Sequence, residues 1–288
     1  MNSYKLPNKD VCLEISLVDI DKLHIHEEVI PRAVDELVQS FTKDTVLRHP
    51  VMVDKKSLVV LDGMHRVAAA KKIGCLRMPV CLVDYNDPAI GLFGWYRTLK
   101  GKGAEENAVE SARRMGVDLK RSSYEEGMNA LNKGSADALL ITKDNCFQVT
   151  NNGGDKRSAF EIVKRLESEL TNLGLKVGYE TASDAETKLK NGEVDMVLAT
   201  PPIKKSEVIS QGIRDEPFPH KVTRHTVPAR PLEIDVPLSL LRDETLTTEQ
   251  ANQRFLRILE SRKIQQLPPG SLIEGRRYDE EVYLFSGT

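Results

Sequence analysis

Val59-Val60-Leu61-Asp62-Gly63-Met64-His65-Arg66 joins a short run of apolar residues to the start of a new element. Val59–Leu61 reads as a buried strand and Asp62-Gly63 ends it. Met64 to Ile73, alanine-rich at Val67-Ala68-Ala69-Ala70, reads as a helix stopped by Gly74. A strand that delivers a polar knot to a helix N-terminus is anion-handling architecture. Gly63 permits close backbone approach, the first-turn N–H groups lack intrahelical partners, and the helix dipole favours negative charge there. Arg66 adds a planar guanidinium suited to paired phosphate oxygens. Asp62 does not belong beside a phosphate unless it binds a metal or handles a proton, as phosphoryl transfer requires. The plainer reading is that Asp62 caps the helix while His65 and Arg66 are solvated.

Working outward, Pro50–Val53 and Leu58–Leu61 flank the turn Asp54-Lys55-Lys56 as a hairpin. Cys12–Val18 alternates with a strand's period of two and leads to a loop carrying His24, His26, Glu27 and Glu28. Pro31 opens a helix to about Phe41, with Val34, Leu37, Val38 and Phe41 on one face. Arg77–Asp84 is a further strand. Lys100-Gly101-Lys102-Gly103 is the expected domain boundary, dividing the chain into residues 1–100 and 104–288. Beyond it come a helix from Ala104, a hairpin of Ala136–Thr142 and Cys146–Val149, and an amphipathic helix over Arg157–Leu173. Leu175–Tyr179 and Val194–Ala199 follow as strands around a short helix at Ala182–Leu189. Lys204–Ser210 and Glu249–Glu260 read as helices, and Glu281–Phe285 as a closing strand. The fold class is α/β, in two domains.

At 288 residues, with 40% hydrophobic and 29% charged, the composition is that of a globular protein. The formal net charge of −2 provides no basic field toward nucleic acid or a membrane. No apolar run approaches the roughly 18 residues that span a bilayer, and Met1 to Asp10 lacks the apolar core of a secretion signal. A cytoplasmic location is expected. Cys12, Cys75, Cys81 and Cys146 form no C-x-x-C pair and are expected as buried, reduced thiols rather than a zinc site.

Three further stretches could carry chemistry. Lys221-Val222-Thr223-Arg224-His225 lies between Pro219 and Pro228, and could satisfy several phosphate oxygens or be an inter-domain surface loop. His24-Ile25-His26-Glu27-Glu28 contains metal-ligand types, but an H-x-H pair without a distant third ligand is a weak metal signal. A carboxylate base for a substrate hydroxyl fits that stretch better. Trp95, the single tryptophan, reads as core packing or as the wall of a small-ligand pocket.

The Asp62-Gly63-Met64-His65-Arg66 step resembles the phosphate site of the ParB/sulfiredoxin-like superfamily. Within it, the chain is similar to the free L-serine kinases. The likeness includes Leu23–Glu27, Arg48-His49-Pro50-Val51, Leu61–Arg66, Trp95-Tyr96, Val222–His225 and Leu232–Leu238, all in one order. It implies a ParB-like N-terminal domain, a C-terminal α/β domain and an active site in the cleft between them. It also implies that Glu27 recognises and deprotonates the serine hydroxyl, that Asp62 is the essential aspartate, and that Trp95 and His225 contact the amino acid. Ser40, Thr42, Gly63, Met64, His65, Arg66, Thr223, Arg224 and His225 would hold donor phosphates. The implied co-substrates are Mg²⁺ with ATP or ADP, the metal being held mainly by the donor phosphates, and free L-serine; no membrane or nucleic-acid partner is implied.

A sulfiredoxin-type reductase needs a cysteine in the Gly-x-His-Arg step, where this chain has Met64. A ParB-like DNA clamp would carry Gly-Glu-Arg-Arg and a helix-turn-helix, whereas the residues after Gly103 return to strand–helix alternation. A non-catalytic nucleotide or metabolite sensor and a kinase for free L-threonine or another small hydroxylated metabolite stay open beside the serine kinase. The residues distinguish neither ATP from ADP nor one oligomeric state from another.

Overall fold

In the computed structural model, which describes residues 2–151 and 155–287, the chain divides into two compact units. One comprises Met1–Gly91, Lys205–Pro217 and His225–Thr288; the other comprises Leu92–Lys204 and Phe218–Arg224. The division differs from the single cut expected at residues 100–103, for a local reason. Gly103, in left-handed conformation at φ 70°, turns a strand directly into a helix, and the Gly101 N–H donates to Asp195 at 2.8 Å. These glycines close a turn inside the second unit.

The first unit begins with β1 (Tyr4–Leu6), β2 (Leu13–Asp19), β3 (His24–Ile25), α1 (Pro31–Asp44) and β4 (Val46–Leu47). Then follow β5 (Val51–Asp54), β6 (Val59–Asp62), α2 (Met64–Lys72) and β7 (Arg77–Val83). The main sheet runs β1-β2-β7-β5-β6-β3; β3/β6 and β5/β7 are parallel, the rest antiparallel. The β5–β6 hairpin is tightened by Asp54, whose carboxylate accepts from the Ser57 N–H and hydroxyl and from the Tyr85 N–H.

The second unit contains β8 (Gly91–Gly94, its first residue still in the first unit), β9 (Tyr96–Lys100), α3 (Ala104–Arg114), β10 (Asp118–Ser122), α4 (Tyr124–Lys133), β11 (Ala138–Ile141) and β12 (Cys146–Thr150). It continues with α5 (Lys156–Asn172), β13 (Lys176–Glu180), α6 (Ala182–Lys190) and β14 (Met196–Ala199). Its antiparallel sheet, β10-β12-β11-β14-β9-β13, is covered on both faces. Leu99, Leu140 and Leu198 pack with Ala108, Val163 and Leu166 of α3 and α5. Their strand neighbours Tyr96, Leu139, Ile141 and Val197 pack with Leu131, Ala185 and Leu189 of α4 and α6. This is the period-two alternation of a sheet buried on two sides.

The chain returns to the first unit with α7 (Lys205–Arg214). Gly212 brings α7 against β6: a Cβ there would lie 2.9 Å from Val59 Cγ2. After β15 (Thr223–Thr226) come β16 (Ala229–Leu232), β17 (Val236–Pro237), α8 (Leu238–Arg242), α9 (Thr248–Glu260) and β18 (Lys263–Leu267). A small hairpin of β19 (Leu272–Ile273) and β20 (Arg276–Arg277) precedes β21 (Glu281–Ser286). β16, β21 and β18 form a three-stranded sheet, and β17 pairs with β4.

Strand β2 departs from its period-two reading, since Leu13 to Val18 are all buried. Helix α9 lies against it, and Asn252, fully buried, accepts from the Leu17 N–H at 2.8 Å. That bond satisfies a backbone donor beyond the reach of the three-residue β1. Cys75, Cys81 and Cys146 are buried thiols as expected, but Cys12 is exposed because it lies just ahead of β2. No described helix is long and apolar enough to cross a membrane.

Candidate active site

Parallel pairing of β3 with β6 aligns Ile25 with Val60, so two residues further on Glu27 and Asp62 leave adjacent strand ends at the same level. The next residue, Gly63, caps α2 at φ 101°. A Cβ there would lie 2.5 Å from Val51 Cγ1 and 2.7 Å from Arg66 Nη2, so glycine alone fits this turn. Asp62 does not cap α2, which has no side-chain cap. Met64 is the first helical residue and half-buried.

Asp62 is held by two guanidiniums. Arg230 Nη1 donates to its carboxylate at 2.8 Å and Arg66 Nη2 at 3.4 Å. Burial alone would raise the Asp62 pKa, but Arg66 and Arg230 hold it well below the usual carboxylate range. The side chain keeps 42% exposure, so a fixed anion faces outward from the strand end. Arg66 is not solvated: its Nη1 donates to the carbonyls of His49 at 3.1 Å and Pro50 at 2.6 Å. Arg230 also pairs with Glu280. Beside them His49 accepts from the Glu233 N–H at 3.1 Å. Burial, followed by the positive charge of Arg66 and Arg48, lowers its pKa to about 4.

Behind Glu27 lies a buried imidazole pair. His26, fully buried, donates from Nδ1 to the Val60 carbonyl at 2.7 Å and holds Nε2 3.9 Å from Glu27 Oε1. Its ring meets that of His225 edge-on at 5.4 Å. The His225 ring bonds through Nε2 to the Tyr85 hydroxyl at 2.6 Å and also to the Leu61 backbone. Burial, with His26 next in weight, lowers the His225 pKa to about 3. Burial disfavours the charged form of both rings, and the His225 ring is held by Tyr85 and the Leu61 backbone. Glu27 itself is 6% exposed.

The remaining expected residues are distributed as follows. The Ile30 N–H donates to His65 Nε2 at 2.9 Å, tying α2 to the start of α1. Ser40 and Thr42 lie inside the last turns of α1, which continues to Asp44; both are exposed, and the Thr42 hydroxyl donates to the Val38 carbonyl. In the second unit, Trp95 is half-buried and carries two cations over its ring, Lys221 Nζ at 5.3 Å and the Arg224 guanidinium at 5.6 Å. Thr223 is buried. His26 is fully buried with its Nδ1 on the Val60 carbonyl, whereas His24, on β3, is half-buried. Among the described residues no three His, Cys, Asp or Glu side chains form a metal cluster. A divalent cation bound through nucleotide phosphates and water, with a single protein carboxylate, fits Asp62.

Sequence reading missed Arg230 and Tyr85. Only Arg230 left a signal: a charged residue between Ala229 and Pro231 in an otherwise apolar strand.

No protein-family model matches the chain. It is 27% identical over 245 residues to an ATP-dependent L-serine kinase of Staphylothermus marinus, covering 82% of this chain and 94% of that one. It is 25% identical over 246 residues to the ADP-dependent L-serine kinase SerK of Thermococcus kodakarensis, covering 83% and 96%. A solved free serine kinase in complex with AMP matches with a TM-score of 0.68 at 23% identity, over 83% of this chain and 98% of that one, and so shares its fold. Along four fifths of its length the chain is thus similar in sequence to ATP- and ADP-dependent L-serine kinases, and it shares the fold of a solved free serine kinase.

Proposed function

We propose that the protein transfers a phosphoryl group from ATP or ADP to the hydroxyl of free L-serine, giving O-phospho-L-serine. The observation that carries this reading is the level placement of Glu27 and Asp62 at the ends of parallel β3 and β6, beside the glycine-opened N-terminus of α2.

The geometry supports the following roles. Glu27 takes the proton of the serine hydroxyl and becomes a neutral carboxylic acid as the serine oxygen attacks the phosphorus, with His26 3.9 Å behind it. The first-turn N–H groups of α2 and the backbone at Gly63 receive donor phosphates. Asp62, kept ionised by Arg66 and Arg230, presents a fixed carboxylate to that group. Mg²⁺, when bound with the nucleotide, supplies charge neutralisation. In the second unit, Lys221 and Arg224 gather two cations around the Trp95 ring. Transfer is in-line, and the protein's contribution is positioning and electrostatics.

The test is a phosphoryl-transfer assay pairing ATP or ADP with a panel of free hydroxy amino acids. Serine is expected to be phosphorylated with a kcat/KM at least about tenfold above threonine, the discrimination one methyl group allows. Equal turnover of threonine would change the acceptor, and no transfer to any amino acid from either donor would end the reading.

A further inference from the structure

The second unit holds a cavity that the proposed reaction does not use. It lies over the sheet face covered by α4 and α6 and measures about 480 Å³. Its floor is apolar and buried: Tyr96, Ile141, Cys146, Leu189 and Val197. Its mouth is charged. Glu186 and Lys190 stand one turn apart on α6, and Lys143 and Asp144 project from the turn between β11 and β12. These four formal charges cancel. The Tyr124 hydroxyl, at the start of α4, donates to Glu186 and so ties the two helices across the opening.

We propose that this cavity binds a free α-amino acid with an apolar or aromatic side chain. Glu186, flanked by the rings of Tyr96 and Tyr124, suits an ammonium group, which pairs with carboxylate and ring faces alike. Lys190, one turn along the same helix, suits the carboxylate of the same ligand. The floor takes the side chain, and the balanced rim favours a zwitterion over a net ion. Tyr124 already places a hydrogen-bond donor on Glu186, and the ligand's ammonium replaces a neutral donor with a charged one. The volume lies within the range of about 300–1,000 Å³ typical of small-molecule sites. Serine lacks the apolar body that the floor requires, so this site and the kinase reaction select different amino acids.

Isothermal titration of the full chain with L-phenylalanine and L-leucine, in the presence of saturating L-serine, tests the inference. Saturable binding is expected at about 1 mM or tighter. Phenethylamine, 3-phenylpropionate and the Glu186→Gln variant are each expected to lose about tenfold or more, the effect of removing a charge-assisted hydrogen bond. Glu186→Gln should melt like the parent and keep its phosphoryl-transfer activity. No saturation by about 10 mM would overturn the proposal. Equal affinity for the analogue lacking the amine, or unchanged binding by a folded Glu186→Gln, would do the same.

Discussion

Asp62 stays ionised because two guanidiniums converge on it, and one of them comes from far along the chain. Arg66 reaches it from the first turn of α2; Arg230 reaches it from β16 and is itself balanced by Glu280. Arg230 is therefore a positioning residue for the carboxylate. Arg230→Gln is expected to lower kcat by about one to two orders of magnitude with a smaller change in KM for serine. Because the variant removes a positive charge beside Asp62, the carboxyl pKa rises and the acid limb of the kcat profile moves to higher pH. Arg230→Lys should restore part of the loss. A kcat profile unmoved by Arg230→Gln would assign Arg230 to structure alone. A charge in the otherwise apolar β16 marks Arg230, but its pairing with Asp62 was illegible, because that partner lies 168 positions away and no local pattern encodes it. The same holds for Tyr85 and His225, 140 positions apart, whose bond turns a supposed ligand-binding imidazole inward.

At the scale of elements, the strand–glycine–helix step was legible because every signal in it is local. The β5–β6 hairpin, the alanine-rich α2 and the glycine between strand and helix are each fixed by neighbouring residues. Gly63→Ala should expose this dependence. It places a side chain at φ 101° and against Val51 and Arg66, for a combined cost of about 2–4 kcal/mol. Urea denaturation measures that loss; a variant as stable as the parent would mean that the turn can relax. Elements whose partners are distant were read less well. β3 is two residues long and exists through its pairing with β6, and α4 carries a glycine that packs on Cys146. The stretch at residues 100–103, read as a boundary, lies inside the second unit: a polar, glycine-containing stretch marks a turn as readily as a linker.

Over the whole molecule, the chain leaves the first unit and returns to it, so residues 205–217 and 225–288 complete the unit that residues 1–91 begin. A consequence of that architecture is a set of histidines held neutral. His49 has a folded pKa of about 4 and His225 of about 3, both below the usual value near 6.5. The unfolded chain therefore binds these protons first, and stability falls as pH drops from about 6.5 toward 4. Urea midpoints at pH 7 and pH 5 should differ by on the order of 1–2 kcal/mol per histidine, and His49→Gln should remove its share. Equal stability at both pH values would show that these rings are protonated in the fold.

The pairing of Glu27 with Asp62 is tested most directly by single-turnover phosphoryl transfer to serine in Glu27→Gln, Asp62→Asn and the double variant. Each single change should slow transfer by about two orders of magnitude or more, and the double should cost less than the product of the two, as groups acting on one transition state do. Single variants that transfer phosphate as fast as the parent would contradict the account.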